Sequence, residues 1–218
     1  MTNTLAPVSV ASIVAEFGAE DQQTADIMLG IGLQKDSEAV FFRYEGDDKI
    51  NALVHPSGKP VTRIGNVYLT GLTIANDIYK DAGFSGDKLN VHLETQNGTT
   101  VMLTAGLTTI WSQCIVTSLQ GLADEDCLTH LIGIDTWKGN SKMKPCFAAV
   151  RDGQRKISSN VMYQALADAR ADRDKAKAEA LIRDAVECIN ALVTGNDIQP
   201  AVVADLDDTT TDTDTTEF

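Results

Sequence analysis

Hydrophobic and polar residues alternate along residues 88–94, where Leu89, Val91 and Leu93 are apolar and the residues between them are polar. A period of two is typical of a half-buried strand. Asn97 and Gly98 follow, and this pair is the strongest short hairpin signal because both residues tolerate positive φ. Because β-forming residues resume at 100–104, the sequence predicts a β-hairpin.

The hydrophobic period changes from two to that of a helix after Gly106. The residues that share the predicted helix face are Leu107, Ile110, Trp111, Cys114, Ile115, Ser118, Leu119 and Leu122. This spacing is that of one continuous face of an amphipathic helix. Gly121 is the residue expected to end it.

Further strands are predicted on both sides of this core. Residues 38–56 read as a hairpin, 61–74 as a β-rich segment broken by Gly65 and Gly71, and 128–137 and 145–150 as two more strands. Glycine inside a strand often marks a bulge or bend. The order from residue 64 onward is β-β-β-α-β-β. The predicted class is α+β, or mainly β, with an OB-like five-stranded barrel whose helix lies between strands three and four.

The chain divides into four predicted parts: a helical N-terminal extension (1–37), the barrel (38–157), a helical segment (158–194) and an acidic tail (195–218). In the extension, short helical patterns cover residues 10–17 and 25–31. The middle of the helical segment is alanine and charge, which favour helix but bury little. It therefore forms either one exposed helix or two helices with a weak joint near Asp172.

The sequence has no feature of an enzyme, a secreted protein or a membrane protein. It lacks a phosphate-binding glycine loop, a nucleophile elbow and an HExxH motif, and residues 124–126 read as a solvated acidic turn. The four cysteines and three histidines lack metal-ligand spacing. We therefore predict a non-catalytic protein without cofactor or metal. The absence of an apolar span and of a secretory signal predicts a cytoplasmic location.

Charge is distributed unevenly. The net charge is −13, which by itself argues against nucleic-acid binding. However, six cations and only one acid follow Trp137 within 19 residues: Lys138, Lys142, Lys144, Arg151, Arg155 and Lys156. Proteins that bind single strands pair such cations with aromatic rings, and Trp137 and Phe147 are the available rings. The alternatives are a solvated hairpin loop and two core aromatics.

The tail combines several acids with a terminal aromatic residue. Its candidate partner-binding residues are Asp207, Asp208, Asp212, Asp214, Glu217 and Phe218. Low hydrophobicity and charge of one sign predict disorder, and such tails are usually solubilising. A terminal Phe with a free carboxylate also suits docking to a basic pocket on a partner. Without residues 195–218 the net charge of the chain is −6.

An OB-type strand order followed by an acidic tail that ends in Phe resembles the single-stranded DNA-binding proteins of bacteria and their phages. The resemblance covers residues 64–156 and the tail. It implies binding of single-stranded DNA in replication, recombination or repair, a tail that recruits partner proteins, and a homo-oligomer. The chain departs from the bacterial pattern by its sparse aromatics, its lack of a Pro-Phe ending and its extra terminal segments. The alternative is a structural or interaction protein that self-associates through its C-terminal helix.

Overall fold

The computed structural model describes residues 25–34, 36–45, 49–76 and 86–195. The nine strands are β1 (Ile27–Ile31), β2 (Phe41–Glu45), β3 (Lys49–Ala52), β4 (Arg63–Ala75), β5 (Lys88–Thr95), β6 (Thr100–Gly106), β7 (Ile132–Lys138), β8 (Cys146–Asp152) and β9 (Arg155–Ile157). The three helices are α1 (Ile110–Asp124), α2 (Asn160–Ala171) and α3 (Lys175–Thr194). The helical pattern predicted at 10–17 and almost all of the acidic tail lie outside the described residues.

All nine strands belong to one mixed sheet, in the order β3-β2-β1-β6-β5-β4-β7-β8-β9. The prediction of a five-stranded OB-like barrel is therefore wrong. Strands β2 to β8 and the helix after the hairpin were predicted in the right order, whereas β1 and β9 were not predicted as strands. The sheet nevertheless stays open, because β6 pairs on its outer side with β1 and the sheet continues from there to β3.

The pairing between β1 and β6 is the one parallel contact among the described strands. Its register places Ile27 beside Val101 and Leu29 beside Leu103. Residues 25–31 were predicted to be helical, and the structure forms a strand there instead. A short apolar run fits a buried strand as well as a buried helix, so periodicity alone could not separate the two.

The predicted hairpins and bulges are confirmed. β2 pairs with β3, and β5 pairs with β6 across a turn in which Gly98 has a φ of 82°. The register of β4 shifts between Ile64 and Val67 and again between Leu69 and Gly71, next to the two glycines that the sequence singled out. These bulges let one long strand pair with both β5 and β7 while it bends.

Helix α1 is confirmed, although its end was predicted wrongly. It begins after Thr109, whose side-chain oxygen accepts from the backbone N–H of Ser112, a cap that contributes about 1 kcal/mol. The helix continues through Gly121 to Asp124. Gly121 is buried, and a Cβ placed there would lie 2.8 Å from the carbonyl carbon of Ser158. This glycine therefore permits close approach of two backbones and does not end the helix.

One face of the sheet is covered by α1, which packs against β8 and contacts β6 and β9 as well. Its Trp111, Ile115 and Leu119 are fully buried. The Trp111 indole N–H donates to the Thr136 hydroxyl in β7 at 3.1 Å, which satisfies the one polar group of the ring. This contact fixes which side of β7 faces the core.

The C-terminal segment forms two helices, which settles the alternative that the sequence left open. The break comes at residues 172–174, near the predicted joint at Asp172. Helix α3 lies against β4, where the Asn190 side-chain oxygen accepts from the backbone N–H of Leu72 at 3.1 Å, beside the bulge at Gly71. None of the helices in the described part of the chain is long and apolar enough to cross a membrane.

Replacing Gly121 with Ala tests the close approach of α1 to residues 158–159. In a helix interior this change normally stabilises by about 1 kcal/mol. Here we expect a loss of about 1–3 kcal/mol, because the added methyl group overlaps backbone atoms of Ser158 and Ser159. Urea unfolding measures the difference. An increase in the unfolding midpoint would contradict the packing.

Candidate nucleic-acid interface

The face of β7, β8 and β9 opposite α1 carries a group of aromatic and charged side chains. Strand register aligns them: Arg63 lies beside Asp135, Trp137 beside Phe147, and Arg151 beside Lys156. Their neighbours along each strand point the other way, as Ile134, Val150 and Ile157 do when they bury against the core. We call these six residues (Arg63, Asp135, Trp137, Phe147, Arg151 and Lys156) the Trp137 face.

An aromatic pair forms the most prominent feature of this face. Trp137 and Phe147 are cross-strand neighbours whose ring centroids lie 6.0 Å apart with an angle of 15° between their planes. Phe147 is half-buried, whereas 41% of Trp137 is exposed. The Lys156 ammonium lies 5.9 Å from the centroid of the Trp137 ring, within reach of a cation–π interaction. The indole is thus exposed but held in place.

Ion pairs bind three of the charged residues on the same face together. The Asp135 carboxylate accepts from Arg151 Nε at 2.5 Å and lies 3.6 Å from Arg63 Nε. One carboxylate therefore forms ion pairs with two guanidinium groups. With Lys156 included, the face has three cations and one acid, and the excess of positive charge is available to an anionic ligand.

Two of the predicted phosphate-binding lysines, Lys138 and Lys144, are engaged elsewhere. Lys138 donates to the backbone carbonyls of Gln34 and Ser37, the former at 2.9 Å. Lys144 forms a 2.8 Å ion pair with Glu38. This pair lowers the pKa of the Glu38 carboxyl and raises that of Lys144, through their hydrogen bond first and their mutual charge second. Both lysines attach the β7–β8 connection to the segment after β1.

Arg155 lies on the opposite side of the sheet from Trp137. It forms ion pairs with Glu125, at the end of α1, and with Asp152. Asp152 also accepts from His130 Nδ1 at 3.1 Å, and the hydrogen bond to His130 is the main reason that the Asp152 pKa is lowered. Cys127 is close by, and its Sγ atom lies within 4.8 Å of a ring nitrogen of His130 and a carboxylate oxygen of Asp152. The Cys127 thiol donates to the Glu125 carbonyl at 3.2 Å.

The structure therefore divides the eight predicted nucleic-acid-binding residues into three groups. Trp137, Phe147, Arg151 and Lys156 come together on the Trp137 face. Lys142 is exposed in the β7–β8 loop and has no ion-pair partner among the described residues. The remaining three, Lys138, Lys144 and Arg155, have intramolecular partners away from this face.

Arg63 was missed by the sequence analysis. It stands more than seventy positions before Trp137, and only the pairing of β4 with β7 brings it to the site. Its side chain lies over Gly133, where a Cβ would approach Arg63 Nη2 to 2.9 Å. A glycine in β7 is thus what gives Arg63 room beside Asp135. The glycine alone could not have indicated this in the sequence, because its partner strand was unknown.

In comparisons with protein-family models, with curated proteins and with solved structures, nothing matches this chain. The resemblance to single-stranded DNA-binding proteins therefore stays a prediction. The ligand of the Trp137 face must therefore be inferred from the geometry and the charge of this face.

Proposed function

We propose that this protein binds single-stranded DNA through the Trp137 face and catalyses no reaction there. The observation that carries the proposal is the exposed Trp137 ring, fixed by Phe147 on one side and accompanied by Lys156. An exposed indole that is already ordered loses little side-chain entropy when a flat ligand stacks on it. Nucleobases are flat, and in a single strand their faces are accessible.

The arrangement favours a single strand over a duplex. A base that stacks on a protein side chain must leave the base stack, which costs a few kcal/mol in a duplex and much less in a single strand. Base–aromatic stacking contributes about 1–3 kcal/mol per base and tolerates every base. A sheet surface with one aromatic platform therefore fits sequence-independent binding of an unpaired strand.

Cations on the same face supply attraction for phosphates. Arg63, Arg151 and Lys156 are within the face, and Lys142 extends from the neighbouring loop. If three phosphates are neutralised, the logarithm of the association constant falls with the logarithm of salt concentration with a slope of about −2. The acidic remainder of the chain keeps this attraction local.

The acidic tail adds a second part to the proposal. Its acids and Phe218 recruit partner proteins, and its charges compete with DNA for the cations of the Trp137 face. This part rests on the sequence, since residues 196–218 lie outside the described part of the chain. Deleting them removes seven acids, and we propose that DNA affinity rises as a result.

Replacing Trp137 with Ala is the direct test. We expect the affinity for fluorescein-labelled oligothymidine, measured by anisotropy, to fall roughly fivefold to a hundredfold, because one stacked base is lost. The conservative change Trp137→Phe keeps a ring and should retain most of the affinity.

Lys138→Gln is the matched control. It removes a cation from the same strand, but one that donates to Gln34 and Ser37. We expect lower stability in urea and little change in DNA affinity. Wild-type protein that does not bind oligothymidine at low salt, or Trp137→Ala that binds as well as wild type, would refute the proposal.

A second candidate function is self-association through α2. The observation in its favour is that Val161 is 82% exposed and Tyr163 is also exposed on this helix. Deleting the whole segment would not test it, because Ile182, Val186 and Ile189 of α3 belong to the core. Val161→Lys changes the exposed surface alone. A dimer in light scattering that this variant dissociates, in a protein that does not bind oligonucleotides, would favour this function.

A further inference from the structure

Three side chains with metal-binding atoms meet where the chain leaves α1 and approaches β7. The Sγ atom of Cys127, a ring nitrogen of His130 and a carboxylate oxygen of Asp152 all lie within 4.8 Å of one another. His130 Nδ1 and Asp152 Oδ2 are 3.1 Å apart. No metal was predicted from the sequence, because Asp152 stands 22 positions after His130 and joins the cluster only through the sheet.

The fold fixes the backbone of all three residues. Cys127 follows α1, and its N–H donates to a carbonyl of the last helical turn at 2.8 Å while Asp126 has a φ of 56°, which is the geometry of a Schellman motif. The His130 N–H then donates to the Cys127 carbonyl at 3.1 Å, so both residues belong to one turn. Asp152 pairs with Ile132 at the start of β7, two positions beyond His130. Ligands held in this way lose little conformational entropy when they bind an ion.

The charge around this cluster favours a cation. Residues 124–126 are all acidic and lie at the C-terminus of α1, where the helix dipole is negative. Arg155 is the one lysine or arginine in the described ranges that forms ion pairs with these acids or with Asp152. Its Nη2 lies 2.6 Å from Glu125 Oε2 and 3.5 Å from Asp152 Oδ2. Arg155 can therefore keep its shorter ion pair with Glu125 when the Asp152 carboxylate binds an ion.

We propose that Cys127, His130 and Asp152 bind a zinc ion, with water in its fourth position. Thiolate and imidazole ligands select zinc over magnesium and calcium, and a carboxylate is a third common zinc ligand. In a tetrahedral zinc site the ligand atoms lie roughly 3.3–3.6 Å apart, so only the Cys127 Sγ has to move, by roughly 1 Å. Binding releases the thiol proton to solvent, which also ends the hydrogen bond from Cys127 to the Glu125 carbonyl. The ion connects the C-terminal end of α1 to β8.

Cobalt(II) provides a coloured probe for the thiolate ligand. The full-length protein, treated with a chelator and kept reduced, should take up one cobalt ion per chain. We expect an intense thiolate-to-cobalt absorption band in the near ultraviolet. Zinc should then displace the cobalt and remove the band, because its filled d shell imposes no geometric preference against a tetrahedral site.

Each ligand variant has a matched control elsewhere in the chain. Cys127→Ser should abolish the absorption band, whereas Cys188→Ser, which removes an exposed thiol of α3, should leave it unchanged. His130→Ala should weaken zinc binding by more than roughly tenfold, since even the loss of a residue that only supports a ligand costs about 10–100-fold. His55→Ala removes another exposed imidazole and should bind zinc as the wild type does. His130 is exposed, so its variant keeps the test informative if Cys127→Ser does not fold.

Thermal unfolding separates a zinc site from general attraction of divalent cations to the acidic turn. Zinc at a hundredfold excess over its dissociation constant should raise the unfolding temperature of the wild type by roughly 5–10 °C, and magnesium should not. Equal shifts with the two ions, no cobalt band in the wild type, or a band that persists in Cys127→Ser would each overturn the proposal. None of these measurements involves DNA, so their failure leaves the proposed function standing.

Discussion

The packing of α1 against β8, together with the hydrogen bond from its Trp111 to β7, is the interaction on which the rest of the structure depends. Trp111, Ile115 and Leu119 are fully buried there, and burying each such side chain contributes about 1.5–3 kcal/mol. Successive residues of a strand point to opposite faces. Once Thr136 accepts from Trp111, its neighbours Asp135 and Trp137 must point away from α1. The core thereby determines which residues of β7 lie on the candidate binding face.

Local features of the fold could be predicted from the sequence, whereas the order in which the strands pair in the sheet could not. The alternation around Val91 and the helical spacing from Trp111 to Leu122 gave the correct elements, because each pattern records which residues face the core. The prediction of a barrel was wrong because β1 was mistaken for a helix. Its parallel partner, β6, begins more than 65 residues beyond the end of β1, and a pairing over that distance leaves no local pattern in the sequence.

The candidate site shows the same limit. Clustering of cations along the chain pointed to the region that carries the Trp137 face, since strands β7 to β9 are consecutive. It could not tell which cations are engaged, because the partners Gln34, Ser37 and Glu38 come from a distant segment. Nor could it find Arg63, which reaches the face only through the pairing of β4 with β7. The number of cations in a segment therefore overstated the number that share one surface, because only Arg151 and Lys156 of the six lie with Trp137 on the same face.

The proposed binding of a single strand takes place on the Trp137 face, away from the core. The chain has two tryptophans, and the structure gives them opposite environments: Trp111 is buried with a hydrogen-bonded indole N–H, and Trp137 is exposed. Indole N–H resonances of ¹⁵N-labelled protein, followed during titration with oligothymidine, report on both at once. If the strand binds on the Trp137 face, we expect the Trp137 resonance to shift with saturation while that of Trp111 stays in place. Saturable binding that leaves the Trp137 resonance unchanged would contradict it.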